Sequence, residues 1–376
     1  MFGRGITLFH LMGFRVRLDW SWIIIAVLVI WSLARGVFPA QVEGLPAATY
    51  WWMGVLGALG LFLSIILHEF GHSVVARSFG IPMTGITLFI FGGVAEMGDE
   101  PPSPKSELLM AIAGPITSVI LGAVAYGFRR LSDALGWPIE ATVILGYLTW
   151  INWALAAFNL IPAFPLDGGR VLRSILWGLK GNLVWATRLA SAVGTAFAIL
   201  LIFLGIVTLA VGNFITGIWW IILGMFIRGV SRASYQQVLT RQALAGETVQ
   251  RFMNPNPISV PPSLSLKDLV DKYIYQYYFK TFPVVDQDRL VGCVNLDRLR
   301  QIPREEWESR TAGTVATPCT DDNTISPQAT ATKALSAMTR HHLTRLLVVD
   351  QQRLVGIITL KDLLGFLSRK LELEPA

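Results

Sequence analysis

The stretch "SIILHEFGHSVV", residues 64–75, places two histidines and a glutamate inside one of the most apolar parts of the chain. Ionisable side chains within a membrane-length apolar run are costly and mark a functional site by default. His68 and His72 are four residues apart, so on a helix they share one face and both imidazoles can reach a single tetrahedral ion. Glu69, one position on, can stand beside the fourth coordination position and take a proton from bound water. With five His in 376 residues, coincidence is a weak explanation of this H-E-x-x-H spacing.

The surrounding composition says what kind of protein carries the motif. Hydrophobic residues make up 53% of the chain, charged residues only 15%, and there are thirteen Trp. That is too apolar for an ordinary soluble protein and points to a multi-pass membrane protein. Apolar segments of spanning length lie at 19–34, 50–75, 107–128, 142–163, 186–211 and 214–230. No small-residue cleavage site follows the first, so it reads as a retained span. With the N-terminus inside, the inner connections collect Arg4, Arg15, Arg17, Arg77, Lys105, Arg170, Arg173, Lys180, Arg228 and Arg232. The outer side holds Arg35, Arg129 and Arg130. This bias predicts cytoplasmic N- and C-termini. Basic residues flanking spans account for the net charge of +6. No basic stripe interleaved with aromatics is present, which argues against nucleic-acid binding. Cys293 and Cys319 imply no disulfide framework.

Between the second and third spans, "IPMTGITLFIFGGVAEMGDEPPSPKS" (81–106) reads as a short β-hairpin turning near Gly92-Gly93. It is too apolar for a free loop and is expected to dip into the membrane packed against protein. A catalytic zinc usually has three protein ligands, so one more is needed. Glu96 and Asp99 in the hairpin and Asp167 in "NLIPAFPLDGGR" (159–170) are the candidates. Asp167 is favoured because it falls on the same inner half as His72, although an aspartate there also suits capping of the helix that begins near Arg170.

H-E-F-G-H at 68–72 together with N-L-I-P-A-F-P-L-D-G-G at 159–169 resembles the site-2 protease family of intramembrane zinc metalloproteases. The resemblance extends over the membrane half, through F-G-G at 91–93 and A-G-P at 113–115. It implies zinc held by His68, His72 and Asp167, with Glu69 as general base. It also implies substrate contacts from Asn159 and the hairpin glycines Gly92 and Gly93. The family often has an asparagine shortly after A-G-P, where this chain reads Ile116-Thr117-Ser118, so no substrate role is assigned to Ser118.

The last third repeats itself. "FPVVDQDRLVGCVNLDRL" (282–299) aligns with "LLVVDQQRLVGIITLKDL" (346–363), each copy reading strand, turn, strand, helix. These copies resemble tandem CBS (cystathionine-β-synthase-type) domains, which often dimerise and bind adenine nucleotides. By that resemblance Gly356, Thr359 and Asp362 match a G-x-x-T-x-x-D ribose and phosphate contact. The first copy reads Gly292, Asn295 and Arg298 and lacks the acid.

The expected fold is therefore a mostly α polytopic membrane domain over 1–230, of about six spans with a membrane-associated β-hairpin. A linker at 231–248 joins it to an α/β tandem CBS module, 249–305 and 312–370. The expected activity is zinc-dependent hydrolysis of peptide bonds in or near transmembrane segments, modulated by the CBS module. The resemblance implies substrates such as anti-sigma factors or membrane-held transcription regulators, and a possible homodimer through the CBS domains. The alternative is a CBS-regulated metal or ion transporter.

Overall fold

The computed structural model describes residues 5–11, 14–81, 83–89, 92–97, 100–341 and 343–373. They form two compact units, Met1–Val238 and Leu239–Ala376. Among the described residues, six helices are long and apolar enough to cross a membrane: α1 Ser21–Gln41, α2 Ala47–Ser78, α3 Pro104–Leu135, α4 Ile139–Asn159, α6 Leu183–Ala210 and α7 Phe214–Ala243. Between α4 and α6 lies a fourteen-residue helix, α5, Asp167–Lys180. α2 and α3 have 32 residues each, about 48 Å at 1.5 Å per residue and longer than the ~30 Å hydrocarbon layer.

Local chemistry sets the helix ends. Ser103 and Ser106 form a reciprocal cap at the start of α3, with Pro104 in the first turn, where its missing N–H costs nothing. Gly136 (φ 66°) and Gly181 (φ 67°) close α3 and α5 in the left-handed conformation, which glycine adopts without Cβ strain. Within the membrane, water exclusion gives no drive for helices to associate, so close approach through small residues matters. A Cβ on Gly71 would lie 2.4 Å from Thr117 Oγ1 and 3.1 Å from the Ala113 carbonyl, so α2 and α3 meet here almost backbone to backbone.

The hairpin belongs to a larger sheet. β1 (Gly5–Leu11) and β2 (Phe14–Asp19) pair antiparallel, β2 runs parallel to β3 (Met83–Phe89), and β3 pairs antiparallel with β4 (Gly92–Met97). Arg15 and Arg17, read from sequence as flanking charge, lie on β2 beside Gly85 and Thr87. The register leaves β4 with one edge unpaired among the described residues.

The second unit is a five-stranded sheet in the order β5-β6-β9-β8-β7. β5 (Thr281–Asp286) and β6 (Arg289–Asn295) come from the first copy. β7 (Thr324–Ile325), β8 (Arg345–Asp350) and β9 (Arg353–Thr359) come from the second, with helices α8 (Ala331–Arg340) and α9 (Leu360–Leu373). The internal repeat extends to the turns: φ is 44° and 69° at Gln287-Asp288, and 46° and 68° at Gln351-Gln352. Positive φ at both central residues is the hairpin turn that matches strand twist.

The two copies exchange their leading segments. Asn254, ahead of the first copy, bridges Ile357 of the second, while Thr317, ahead of the second, bridges Cys293 of the first. Accordingly Ala243, Leu244 and Val249 are buried in a core with Ile325, Met338, Leu346 and Leu363. Ala312 and Val315 are buried with Phe282, Val284 and Leu299. In residues 231–248, expected as a linker, α7 continues to Ala243, and Ala243 and Leu244 lie in the core of the second unit.

Candidate metal centre

The H-E-x-x-H residues sit near the C-terminal end of α2, where His68 and His72 are 3% and 4% exposed. One turn of helix separates them, and their rings meet edge to face with centroids 5.0 Å apart. Asp167, the first residue of α5, brings Oδ2 to 3.1 Å from His68 Nε2 and 3.2 Å from His72 Nε2. The two Nε2 atoms are themselves 3.3 Å apart. Among the described residues this is the one group of three His, Cys, Asp or Glu side chains whose ligand atoms converge, all within 4.8 Å.

The donor chemistry fits a cation. His72 Nδ1 lies 2.7 Å from the Met110 carbonyl, which can only accept, so the proton resides on Nδ1 and Nε2 presents its lone pair. His68 is oriented in the same sense, with Nδ1 2.8 Å from Ser118 Oγ. Two imidazole lone pairs and a carboxylate oxygen thus point at one another. Three acceptors in contact need a positive charge between them, and two N donors with one O donor suit tetrahedral zinc.

Space for this cluster comes from Gly114 on α3. A Cβ there would stand 2.2 Å from His72 Nε2 and 2.6 Å from His68 Nε2. Any side chain at 114 would occupy the place where the ligand atoms meet. Glu69 lies on the hairpin side of α2: a Cβ on Gly93 would be 2.7 Å from Glu69 Cγ, so β4 passes the carboxylate in contact.

The loop that delivers Asp167 is held from three directions. Cβ atoms on Gly168 and Gly169 would collide with the Leu160 carbonyl at 2.2 Å and with Phe164 N at 2.5 Å, so the turn folds tightly onto itself. Arg173, 4% exposed, donates through Nε to Glu107 Oε1 at 2.6 Å, reaches Glu100 at 3.3 Å and lies over the Phe164 ring. Ser231 on α7 donates to the Phe164 carbonyl at 2.5 Å.

Not every expected residue joins the cluster. Asp167 does not cap α5; its side chain turns to the histidines while Leu166 occupies the capping position. Of the other acids weighed as ligands, Glu96 is placed only by its backbone on β4 and Asp99 lies outside the described residues. Asn159 closes α4 with its Nδ2 donating back to the Leu155 carbonyl at 3.0 Å. Ser118 and the Met110 carbonyl, which orient the two rings, had no role from sequence. In the second unit, Thr359 and Asp362 bond each other at the start of α9, with Thr359 Oγ1 2.5 Å and Thr359 N 3.0 Å from Asp362 Oδ2. Gly356 is where the 253–254 backbone passes close, since a Cβ would meet the Asn254 carbonyl at 2.8 Å.

Comparison with known proteins gives the family. Residues 56–132 and 131–204 match the model of Peptidase family M50, and 249–305 and 314–369 match the CBS domain. The protein Rip3 of Mycobacterium tuberculosis is 34% identical over 363 residues, covering 95% of this chain and 91% of its own length. The chain belongs to peptidase family M50. Zinc metalloprotease MJ0392 of Methanocaldococcus jannaschii is 30% identical over 364 residues, 97% of this chain and 96% of its own. A solved site-2 protease from the same organism shares 31% identity over 62% of this chain and 95% of its own, with a TM-score of 0.43. The protein is thus a multi-pass membrane zinc metalloprotease of the site-2 type with two CBS domains, and family membership displaces the transporter alternative.

Removing the hydroxyl beside His68 tests how the ligands are oriented. Ser118→Ala is expected to weaken zinc retention by about 10–100-fold, the usual cost of losing an outer partner of a ligating histidine. Metal content after dialysis against graded chelator checks this, and a folded variant with unaltered retention would refute the orienting role.

Proposed function

We propose that this metalloprotease performs regulated intramembrane proteolysis, hydrolysing peptide bonds in or near the transmembrane segments of membrane-bound substrates. The observation that carries the reading is the convergence of His68, His72 and Asp167 at the end of an apolar helix, with Glu69 beside them. His68, His72 and Asp167 would hold the zinc, which when bound would supply Lewis-acid polarisation of the scissile carbonyl and a water of lowered pKa. Glu69 accepts the proton of the attacking water and returns it to the leaving amine. The excess of basic residues on the side where α2 ends supports cytoplasmic termini, with the site opening towards the same side.

A substrate helix hides its peptide groups and must unwind locally before attack. The unpaired edge of β4 is the surface we assign to receive the unwound strand, supported by the contact of Gly93 with Glu69. Gly92 leaves the backbone there uncovered, and the Asn159 amide is assigned to the substrate chain at the other side of the motif. Single-pass regulators such as anti-sigma factors or membrane-held transcription regulators are the proposed substrate class.

The CBS module is proposed to pair with a second copy and to bind an adenine nucleotide at Gly356, Thr359 and Asp362, altering access to the site. What supports this is the hydroxyl and carboxylate at the N-terminus of α9, where backbone N–H groups favour an anion.

Glu69→Gln should retain zinc while cleavage falls by roughly 10²–10⁴-fold, the usual contribution of a positioned proton carrier. Metal analysis and cleavage of a single-span reporter check both halves, and retained cleavage would refute the assignment. Proline at Val94 or Ala95 should raise KM at one of the two positions, because neighbouring residues point their N–H groups to opposite sides of the strand. Unaltered turnover in both refutes the edge. Addition of ATP or AMP to the reconstituted enzyme should change the cleavage rate, and Asp362→Ala should abolish that response. Equal rates with and without nucleotide refute nucleotide control.

A further inference from the structure

α6 and α7 carry a groove of about 390 Å³ that the proteolytic site does not use. Its lining is mostly apolar along Ala192, Ala196 and Ile199, but Arg188 and Arg232 stand at one end. α6 begins and α7 ends on the membrane side where α2 also ends, so both arginines lie at that interface. Neither pairs with a carboxylate among the described residues. Two guanidinium groups facing one groove repel each other and call for an anion.

From Arg188 to Ile199 the groove covers eleven residues of α6, about 16 Å at 1.5 Å per residue, or half of a ~30 Å hydrocarbon layer. A charged mouth at the interface and an apolar channel one leaflet deep match a lipid and not a soluble anion.

We propose that this groove binds an anionic glycerophospholipid. Its phosphate sits between Arg188 and Arg232, and an acyl chain lies along Ala192, Ala196 and Ile199. The same two helices meet the loop before Asp167: Ser231 bonds the Phe164 carbonyl, and a Cβ on Gly194 would lie 2.6 Å from it. Lipid that draws α6 and α7 together therefore steadies the segment that delivers Asp167; this consequence, unlike the binding itself, rests on the proposed metal role.

The test needs no protease assay. The full chain is placed in nanodiscs of phosphatidylcholine alone or mixed with phosphatidylglycerol, and retained lipid is counted by native mass spectrometry. Phosphatidylglycerol should be retained by the wild type and bind roughly fivefold more weakly for each of Arg188→Gln and Arg232→Gln. Ala196→Trp, which fills the apolar part and leaves both arginines, should also lose it. Excess inorganic phosphate should not displace the lipid. Equal retention of phosphatidylcholine, displacement by phosphate, or undiminished binding in the double arginine variant would each overturn the proposal.

Discussion

Three lone pairs brought together inside a membrane protein are the constraint on which this structure turns. His68 Nε2, His72 Nε2 and Asp167 Oδ2 all accept, and they lie 3.1–3.3 Å from one another. In water such groups would be separated by solvent. Held apart from water, they are tolerable only with a cation among them. The neighbouring features follow from keeping this arrangement. The Met110 carbonyl and Ser118 fix which nitrogen of each ring faces inward. Gly114 keeps the meeting point open, and Gly71 lets α3 approach closely enough for Ser118 and Met110 to reach.

Asp167, the third member of the cluster, comes from a different part of the chain and needs its own support. α5 is too short and polar to span, so it is fastened by side chains. Arg173 and Glu107 are both buried and bonded to each other. Desolvation offsets most of the Coulomb attraction in such a pair, so its value lies more in direction than in stability. A guanidinium that must meet Glu107, Glu100 and the Phe164 ring at once accepts few helix positions. The tight Gly168-Gly169 turn and the Ser231 bond to Phe164 restrict the loop from its other end. The geometry of the His68, His72 and Asp167 cluster is thus set mainly by backbone proximity at glycines and by one buried ionic network.

The two β structures treat their strands differently. In the membrane half, β2 joins an N-terminal hairpin to the hairpin between α2 and α3, leaving β4 available beside Glu69. In the CBS half, each copy lends its leading segment to the other, so Gly292 and Gly356 occupy equivalent places where a foreign backbone passes. The repeat seen at the level of amino acids is therefore not a repeat of two self-contained folding units. The first copy alone would lack Ala312 and Val315 from its core, and the second would lack Ala243, Leu244 and Val249.

The sequence by itself determined the six spans, the two-histidine motif with its glutamate, and the internal repeat. All of these are local: hydropathy, an i,i+4 spacing and a strand–turn–strand pattern survive in one dimension. Asp167 was favoured among three candidate acids by its place on the inner half of the membrane and by the resemblance that its P-L-D-G-G motif carries. The N-terminal strands were overlooked although "FRVRLD" (14–19) alternates apolar and charged residues, because Arg15 and Arg17 read equally well as membrane-flanking charge. Ser118 was marked in sequence only as a departure from the asparagine that the resembled family often has, and the Met110 carbonyl had no one-dimensional signal. A serine is common, every residue has a carbonyl, and only the packing of α3 on α2 gives either a direction. Tertiary structure likewise decided which acid meets the histidines, how α5 is held, and which copy receives each leading segment. Those outcomes depend on contacts between residues far apart in the chain, and distance along the chain carries no record of direction in space.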